Sequence, residues 1–343
     1  MSSSKLLSSG RGRNILHGFI GIYAISTLFF SWVFFFASPD NAVFSFIRSG
    51  YLLALIPTLI ICLIILAFTR NRTLAWMLLP NIVIALTYLT PYLMPSFVAV
   101  QDEGSPIRVM TYNVLNPQDE QMLDTYADLI REANPDIIAF QEFSQIAHEG
   151  LRERIGDEYP YFASEILPGW WQSGQGLYSK FPILDEVAWV DEDLNMTHPH
   201  QRLLLDINGT EVAFYNIHPY PPIEWVSGFQ FVVNETELSA HAVAMQRIIN
   251  RIQLETLPVL VAGDMNMSDQ FPEYRRLAAV LTDSFKSGGF GLGFTYPANN
   301  RFPELMRLDY IFHSDVFRTV TARVLADSGT SDHLPVVANI VLQ

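Results

Sequence analysis

Residues 15–37, 51–68 and about 74–95 contain no Asp, Glu, Lys or Arg and are dominated by Leu, Ile, Phe and other apolar side chains. Each run has about the 17–25 residues that an α-helix needs to cross a hydrocarbon core. Charge is confined to the short connectors, a segregation that buried helices of a soluble protein do not need. The first run also exceeds the 7–15 apolar residues of a cleaved signal peptide. Three transmembrane helices are predicted. Pro57, Pro80 and Pro91 are tolerable in them, because neighbouring groups in a helix bundle re-satisfy the backbone that proline frees.

Past a connecting stretch at 97–106 the rhythm changes to short apolar runs alternating with amphipathic segments. Strands are predicted at 107–112, 137–141, 176–178, 203–207, 212–217, 259–262, 308–312 and 336–341, and helices at 119–133, 238–254 and 271–281. Asn208-Gly209 between two apolar runs is a hairpin signal. This mixture implies a layered α/β domain. The chain thus divides into a membrane anchor (1–96), a linker (97–106) and a domain at 107–343.

Charge divides the chain in the same way. Residues 1–96 hold six basic side chains and one acidic one, Asp40. Of the chain's 21 basic and 35 acidic residues, 15 and 34 are therefore left in the remainder, a formal −19. Lys5, Arg11 and Arg13 precede the first span, and Arg70 and Arg72 separate the second from the third. The first connector has only Arg48, with Asp40 near its start. By the positive-inside rule the N-terminus and second connector are cytoplasmic, and three spans then place the large domain on the extracytoplasmic side. So acidic a domain is a poor non-specific polyanion binder, although a bound divalent cation changes the local sign. Cys62 is the one cysteine and lies inside an apolar run, which excludes a disulfide framework and a cysteine zinc site.

Polar residues cluster at the ends of several predicted strands, where they can converge on one rim of a sheet. Asn113, Glu142 and His218 each follow a strand, as do Asp264 and Asn266. Asp309 lies within one, and Asp332 and His333 precede the last. Singly, each reads as a turn or cap residue.

Together and in order, the segments containing them resemble the endonuclease/exonuclease/phosphatase (DNase I-like) superfamily. They are Thr111-Tyr112-Asn113-Val114, Ile137-Ile138-Ala139-Phe140-Gln141-Glu142, Gly176-Leu177-Tyr178-Ser179-Lys180-Phe181-Pro182, Tyr215-Asn216-Ile217-His218-Pro219, Ala262-Gly263-Asp264-Met265-Asn266, Leu308-Asp309-Tyr310-Ile311-Phe312 and Ser331-Asp332-His333-Leu334-Pro335. The resemblance implies a four-layered α/β sandwich, two packed β-sheets flanked by helices, with a site at one edge. It implies a metal-dependent phosphoric ester hydrolase using Mg²⁺, with Mn²⁺ as a substitute. Glu142, Asn113 and Asp332 would serve the metal. Asp264 would align or deprotonate a water, and Asn266 would hold a phosphoryl oxygen. His333, oriented by Asp309, would stabilise developing charge, and His218 would serve as a second imidazole. Arg202 matches a phosphate-contacting arginine of nuclease relatives. Leu115 departs from the pattern, standing where several nucleases carry a polar metal-associated residue, which argues against a second metal. His198 and His200 read as exposed loop residues, since a His-Pro-His triplet has no metal-ligand spacing.

Membrane tethering favours a phosphorylated lipid or lipid-linked substrate. Trp170-Trp171 and the aromatic insertion 219–231, with Trp225 and Phe229, suit a bilayer interface. The layout is similar to bacterial teicoplanin-resistance-type membrane phosphatases. The alternatives are an extracytoplasmic nuclease using a basic strip of Lys180, Arg202 and Arg301, a sphingomyelinase- or phospholipase C-like phosphodiesterase, and an inactive membrane-tethered binding module.

Overall fold

The computed structural model describes residues 10–38, 40–68, 72–94, 106–117, 119–166, 174–194, 197–227, 230–233, 235–298 and 303–343. The chain forms two compact units, Met1–Leu93 and Met94–Gln343.

The first unit consists of α1 (Gly10–Trp32, continued by a π-helical turn at Val33–Ala37), α2 (Ala42–Phe68) and α3 (Arg72–Leu93). Within them Asn14–Ala37, Val43–Phe68 and Ala75–Leu93 are long and apolar enough to cross a membrane. The second segment begins well before residue 51. Arg48 does not interrupt α2, because its guanidinium is taken up by Asp40 at 3.2 Å and by Ser45 Oγ at 3.0 Å. Apolar side chains such as Phe19, Ile22, Phe68 and Trp76 face outward, while polar groups pair inside. Asn81 donates to the Ala24 carbonyl (3.2 Å) and accepts from Thr27 Oγ1 (2.5 Å), and Tyr23 bonds Thr58. Hydrogen bonds between helices and small contact residues substitute for the hydrophobic drive that lipid removes.

The second unit contains two six-stranded sheets. Its strands are β1 (Ile107–Asn113), β2 (Ile137–Gln141), β3 (Tyr161–Glu165), β4 (Gln175–Ser179), β5 (Ile183–Trp189), β6 (His200–Ile207), β7 (Thr210–Ile217), β8 (Ile223–Ser227), β9 (Gln230–Val233), β10 (Val259–Asp264), β11 (Thr282–Asp283), β12 (Asp309–His313), β13 (Phe317–Val324) and β14 (Val336–Leu342). The first sheet runs β13-β14-β1-β2-β4-β3 and the second β11-β12-β10-β7-β6-β5, with β8 and β9 a separate hairpin. The sheets face each other across Val109, Ile137, Ala139 and Leu177 on one side and Leu203, Leu205, Phe214, Leu260 and Ile311 on the other. Alternation along each strand sends Met110, Tyr112, Ile138 and Phe140 the opposite way, onto α4 (Glu120–Ala133) and α5 (Gln145–Ile155). The long helix α6 (Glu235–Gln253) buries Ala244, Met245, Ile248 and Ile252. Short helices α7 (Pro272–Leu277) and α8 (Ser284–Gly288) complete the shell. This is the four-layered DNase I-like sandwich that the motifs imply. The Asn208-Gly209 turn joins β6 to β7 with both residues at positive φ, 55° and 88°, the backbone a two-residue hairpin demands.

A polar seam crosses the apolar interior beneath the site. Gln141 Nε2 donates to Asn216 Oδ1 at 2.8 Å. Asn216 Nδ2 reaches the Phe140 and Gly176 carbonyls and Gln201 Oε1, each at 3.1 Å. Every polar atom of the Asn216 side chain is thereby satisfied, as burial requires. The seam ties β2 to β7 one or two residues before Glu142 and His218.

Candidate active site

Strand pairing gathers the motif residues. β1 and β2 run parallel, so Asn113 and the Gln141-Glu142 step finish side by side. β7 and β10 also run parallel, which ends Ile217-His218 beside Gly263-Asp264. β12 is antiparallel to β10 and registers Asp309 opposite Asp264. β14 is antiparallel to β1, so the residues before it return to the end of β1, where Ser331 Oγ donates to the Asn113 carbonyl at 2.7 Å. One rim of the sandwich therefore receives contributions from both sheets.

Asp264 is the hub. Its Oδ2 accepts from Asn113 Nδ2 at 3.0 Å and its Oδ1 from the Asn266 backbone N–H at 2.9 Å. It also faces His218 Nε2 at 3.6 Å and His333 Nε2 at 3.7 Å. His333 Nδ1 donates to Asp309 Oδ2 at 2.8 Å, which fixes the tautomer and turns Nε2 toward Asp264. Burial opposes charge on His333, yet Asp309 and Asp264 outweigh it and hold its pKa well above the ordinary value. His218 goes the other way. Burial, reinforced by His198 and His333, keeps it well below the usual range and hence neutral. Burial raises the Asp264 carboxyl to about 7 against the lowering influence of His333.

Glu142 stands next to this hub in a left-handed conformation, φ 50°. Asn113 Nδ2 bonds its Oε1 at 3.2 Å, while Oε2 is covered and has no hydrogen-bond partner among the described residues. Burial lifts its pKa to about 7; Asn113 and His333 pull it down, whereas Asp332 and Asp264 push it up. Asp332 Oδ1 is likewise covered and unpartnered. Two hard carboxylate oxygens without protein donors, on groups that repel one another, are the donor set a divalent cation such as Mg²⁺ satisfies. The buried trio Asp264, Asp309 and His333 also has ligand atoms close enough to surround an ion. There, however, the charged imidazole already neutralises the carboxylates, and an ion would have to displace its proton. Glu142 and Asp332 offer covered oxygens without displacing an imidazole proton, and Asp309 Oδ1 in the trio is covered and unpartnered as well.

Asn113 commits its Oδ1 to the Leu115 N–H at 3.0 Å, so it bridges Glu142 and Asp264 through its amide nitrogen. Arg202 is not brought to the cluster. On β6 its neighbour Gln201 points into the seam, and Arg202 binds Glu255 through Nε at 2.5 Å and Nη2 at 3.0 Å, with Tyr215 on the same carboxylate. Asn266 reaches the cluster through its backbone N–H on Asp264 Oδ1, while its side-chain Nδ2 donates to the Pro219 carbonyl at 3.0 Å.

His198 and His200 are a correction. His200 is buried at the start of β6 and accepts the His218 backbone N–H on Nδ1 at 3.2 Å. The His198 ring stacks on His218. Only the β6–β7 pairing brings them there, and no local sequence signal announces it. Tyr296, whose ring centroid lies 4.9 Å from that of His333, was equally unmarked. Trp170, Trp171, Phe229 and Arg301 lie outside the described residues. The 219–231 insertion folds in part as the β8–β9 hairpin.

The model of the endonuclease/exonuclease/phosphatase family matches residues 110–333, well over half of the chain. The chain belongs to this family. Among curated proteins none matches it. Solved structures of similar fold include an endonuclease/exonuclease/phosphatase family protein from Bacteroides thetaiotaomicron. It is 19% identical, covers 71% of this chain and 100% of its own, and has a TM-score of 0.54. Humanized D. rerio TDP2 is 16% identical, covering 68% and 98%, with a TM-score of 0.55. A mannosyl-6-phosphatase from B. thetaiotaomicron is 19% identical, covering 69% and 100%, with a TM-score of 0.52. At these identities they share the fold of this endonuclease/exonuclease/phosphatase family member.

Proposed function

We propose that the chain is a membrane-anchored, divalent-metal-dependent phosphoesterase that hydrolyses a phosphorylated lipid or lipid-linked substrate at the extracytoplasmic face. The observation that carries the reading is Asp264 set between the Nε2 atoms of His218 and His333, beside the unpartnered oxygens of Glu142 and Asp332. A carboxyl raised toward neutrality is matched to accepting a proton from an attacking water near pH 7. His333, held charged by Asp309, stabilises negative charge on a phosphoryl oxygen. Neutral His218 offers that phosphate a hydrogen bond. Glu142 and Asp332 would hold the divalent cation, which would supply charge neutralisation to the phosphoryl group.

Three apolar helices ahead of the domain support the lipid assignment. The basic strip that a nuclease would use gains no support among the described residues: Arg202 is paired with Glu255, and Lys180 is held by Asn134 at 2.7 Å and Asp136 at 3.3 Å. The test uses full-length protein in detergent with Mg²⁺ or Mn²⁺ and offers isoprenoid lipid phosphates, sphingomyelin and plasmid DNA, with His333→Ala as the blank. Lipid turnover that disappears in the variant is expected. DNA cleavage with lipids spared would establish the nuclease alternative instead, and turnover that survives His333→Ala would remove the assigned chemistry.

A further inference from the structure

The rings of His198 and His218 lie almost parallel, with centroids 4.2 Å apart and 17° between planes. Tyr220 packs on His198 at 5.1 Å and 39°. The Nδ1 atoms of both histidines are covered, and neither has a hydrogen-bond partner among the described residues. A shared cation does not explain the pair. In-plane lone pairs of stacked rings run parallel, whereas ligand bonds of about 2 Å must converge on the ion. His333 is held differently, its Nδ1 fixed by the Asp309 carboxylate.

We infer that His198 is a positioning residue: its ring, backed by Tyr220, holds the His218 imidazole in place by stacking, so that Nε2 faces Asp264. Stacking performs for His218 the task that Asp309 performs for His333. A stacked ring fixes the orientation of the His218 imidazole while leaving its Nδ1 without a charged partner. His200 fixes the same residue from the backbone side. The inference rests on the reading that His218 serves phosphoester hydrolysis.

The test compares His198→Phe and His198→Ala in the full-length, detergent-solubilised protein. One readout needs no substrate: in ¹⁵N-histidine-labelled protein, the His218 ring resonance, assigned by loss in His218→Gln, carries a ring-current shift from its stacked neighbour. That shift should survive in His198→Phe and vanish in His198→Ala. The second readout is Mg²⁺-dependent turnover of para-nitrophenyl phosphate and its bis ester. His198→Phe should stay within about threefold of the wild-type kcat. His198→Ala should lose about 10- to 100-fold in kcat at unchanged KM, the scale of a misplaced catalytic group. An unmoved His218 resonance in His198→Ala overturns the inference, as does a His198→Phe enzyme as slow as the alanine variant. If the wild type hydrolyses neither ester, the phosphoesterase reading suffers, and the resonance alone decides whether His198 holds His218.

Discussion

Glu142→Gln should make the metal-free protein more stable at pH 8 and should abolish its stabilisation by Mg²⁺. The reasoning starts from a carboxyl held at about 7 in the folded chain against an ordinary 4.5. The folded state binds that proton more tightly than the unfolded state does. Stability is therefore unaffected below about pH 4.5, falls as pH rises toward 7, and bears the full cost above it. At 1.36 kcal/mol per pH unit the cost approaches about 3 kcal/mol. Glutamine keeps an oxygen for Asn113 Nδ2 and carries no charge to bury. For a domain of this size about 3 kcal/mol corresponds to roughly 6–12 °C in Tm. Thermal melts with a chelator at pH 5 and pH 8 should coincide for the two proteins at the lower pH and separate at the higher. Excess Mg²⁺ should raise the wild-type curve alone, through binding to the folded state. Wild type and variant melting together at pH 8 would refute the raised carboxyl, and Mg²⁺ stabilising both equally would refute Glu142 as the cation's ligand.

Further expectations are equally direct. Asp309→Asn should lower the His333 pKa, moving the alkaline limb of the pH–rate profile to lower pH and costing about 10²-fold or more in kcat. Arg202→Met should leave kcat unchanged while costing about 1–2 kcal/mol in denaturant unfolding, since the Glu255 carboxylate loses two charge-assisted hydrogen bonds. Asn216→Ala should cost about 3 kcal/mol or more, because the buried Phe140 and Gly176 carbonyls and the Gln141 and Gln201 amides lose their partner; a melt within 1 °C of wild type would contradict it.

Strand ends carrying Asn113, Glu142, His218 and Asp264 were legible because each follows a central, two-face-buried strand, which reads as an uninterrupted apolar run. The strands that sequence reasoning missed include all four sheet edges, β3, β5, β11 and β13. β5 shows why. Its Asp185, Glu186 and Val187 are exposed, and charge on an edge strand discourages pairing with other chains while erasing the apolar signature. The helix α5 was hidden for a similar reason, burying only Ala147, Gly150, Leu151 and Ile155. His198 and Arg202 were misread because their surroundings come from strand pairing and from Glu255, far along the chain, and not from adjacent residues.

Two of the short contacts at the rim join opposite sheets: Asn113 to Asp264, and His333 to Asp309. Chemistry and mechanical closure therefore share the same bonds. A phosphate and a cation bound there would draw the two halves together like a drawstring. Tightening should then spread down the inter-sheet core, so slower amide hydrogen exchange along β1 and β10, and not merely in nearby loops, would be the signature of a bound ligand.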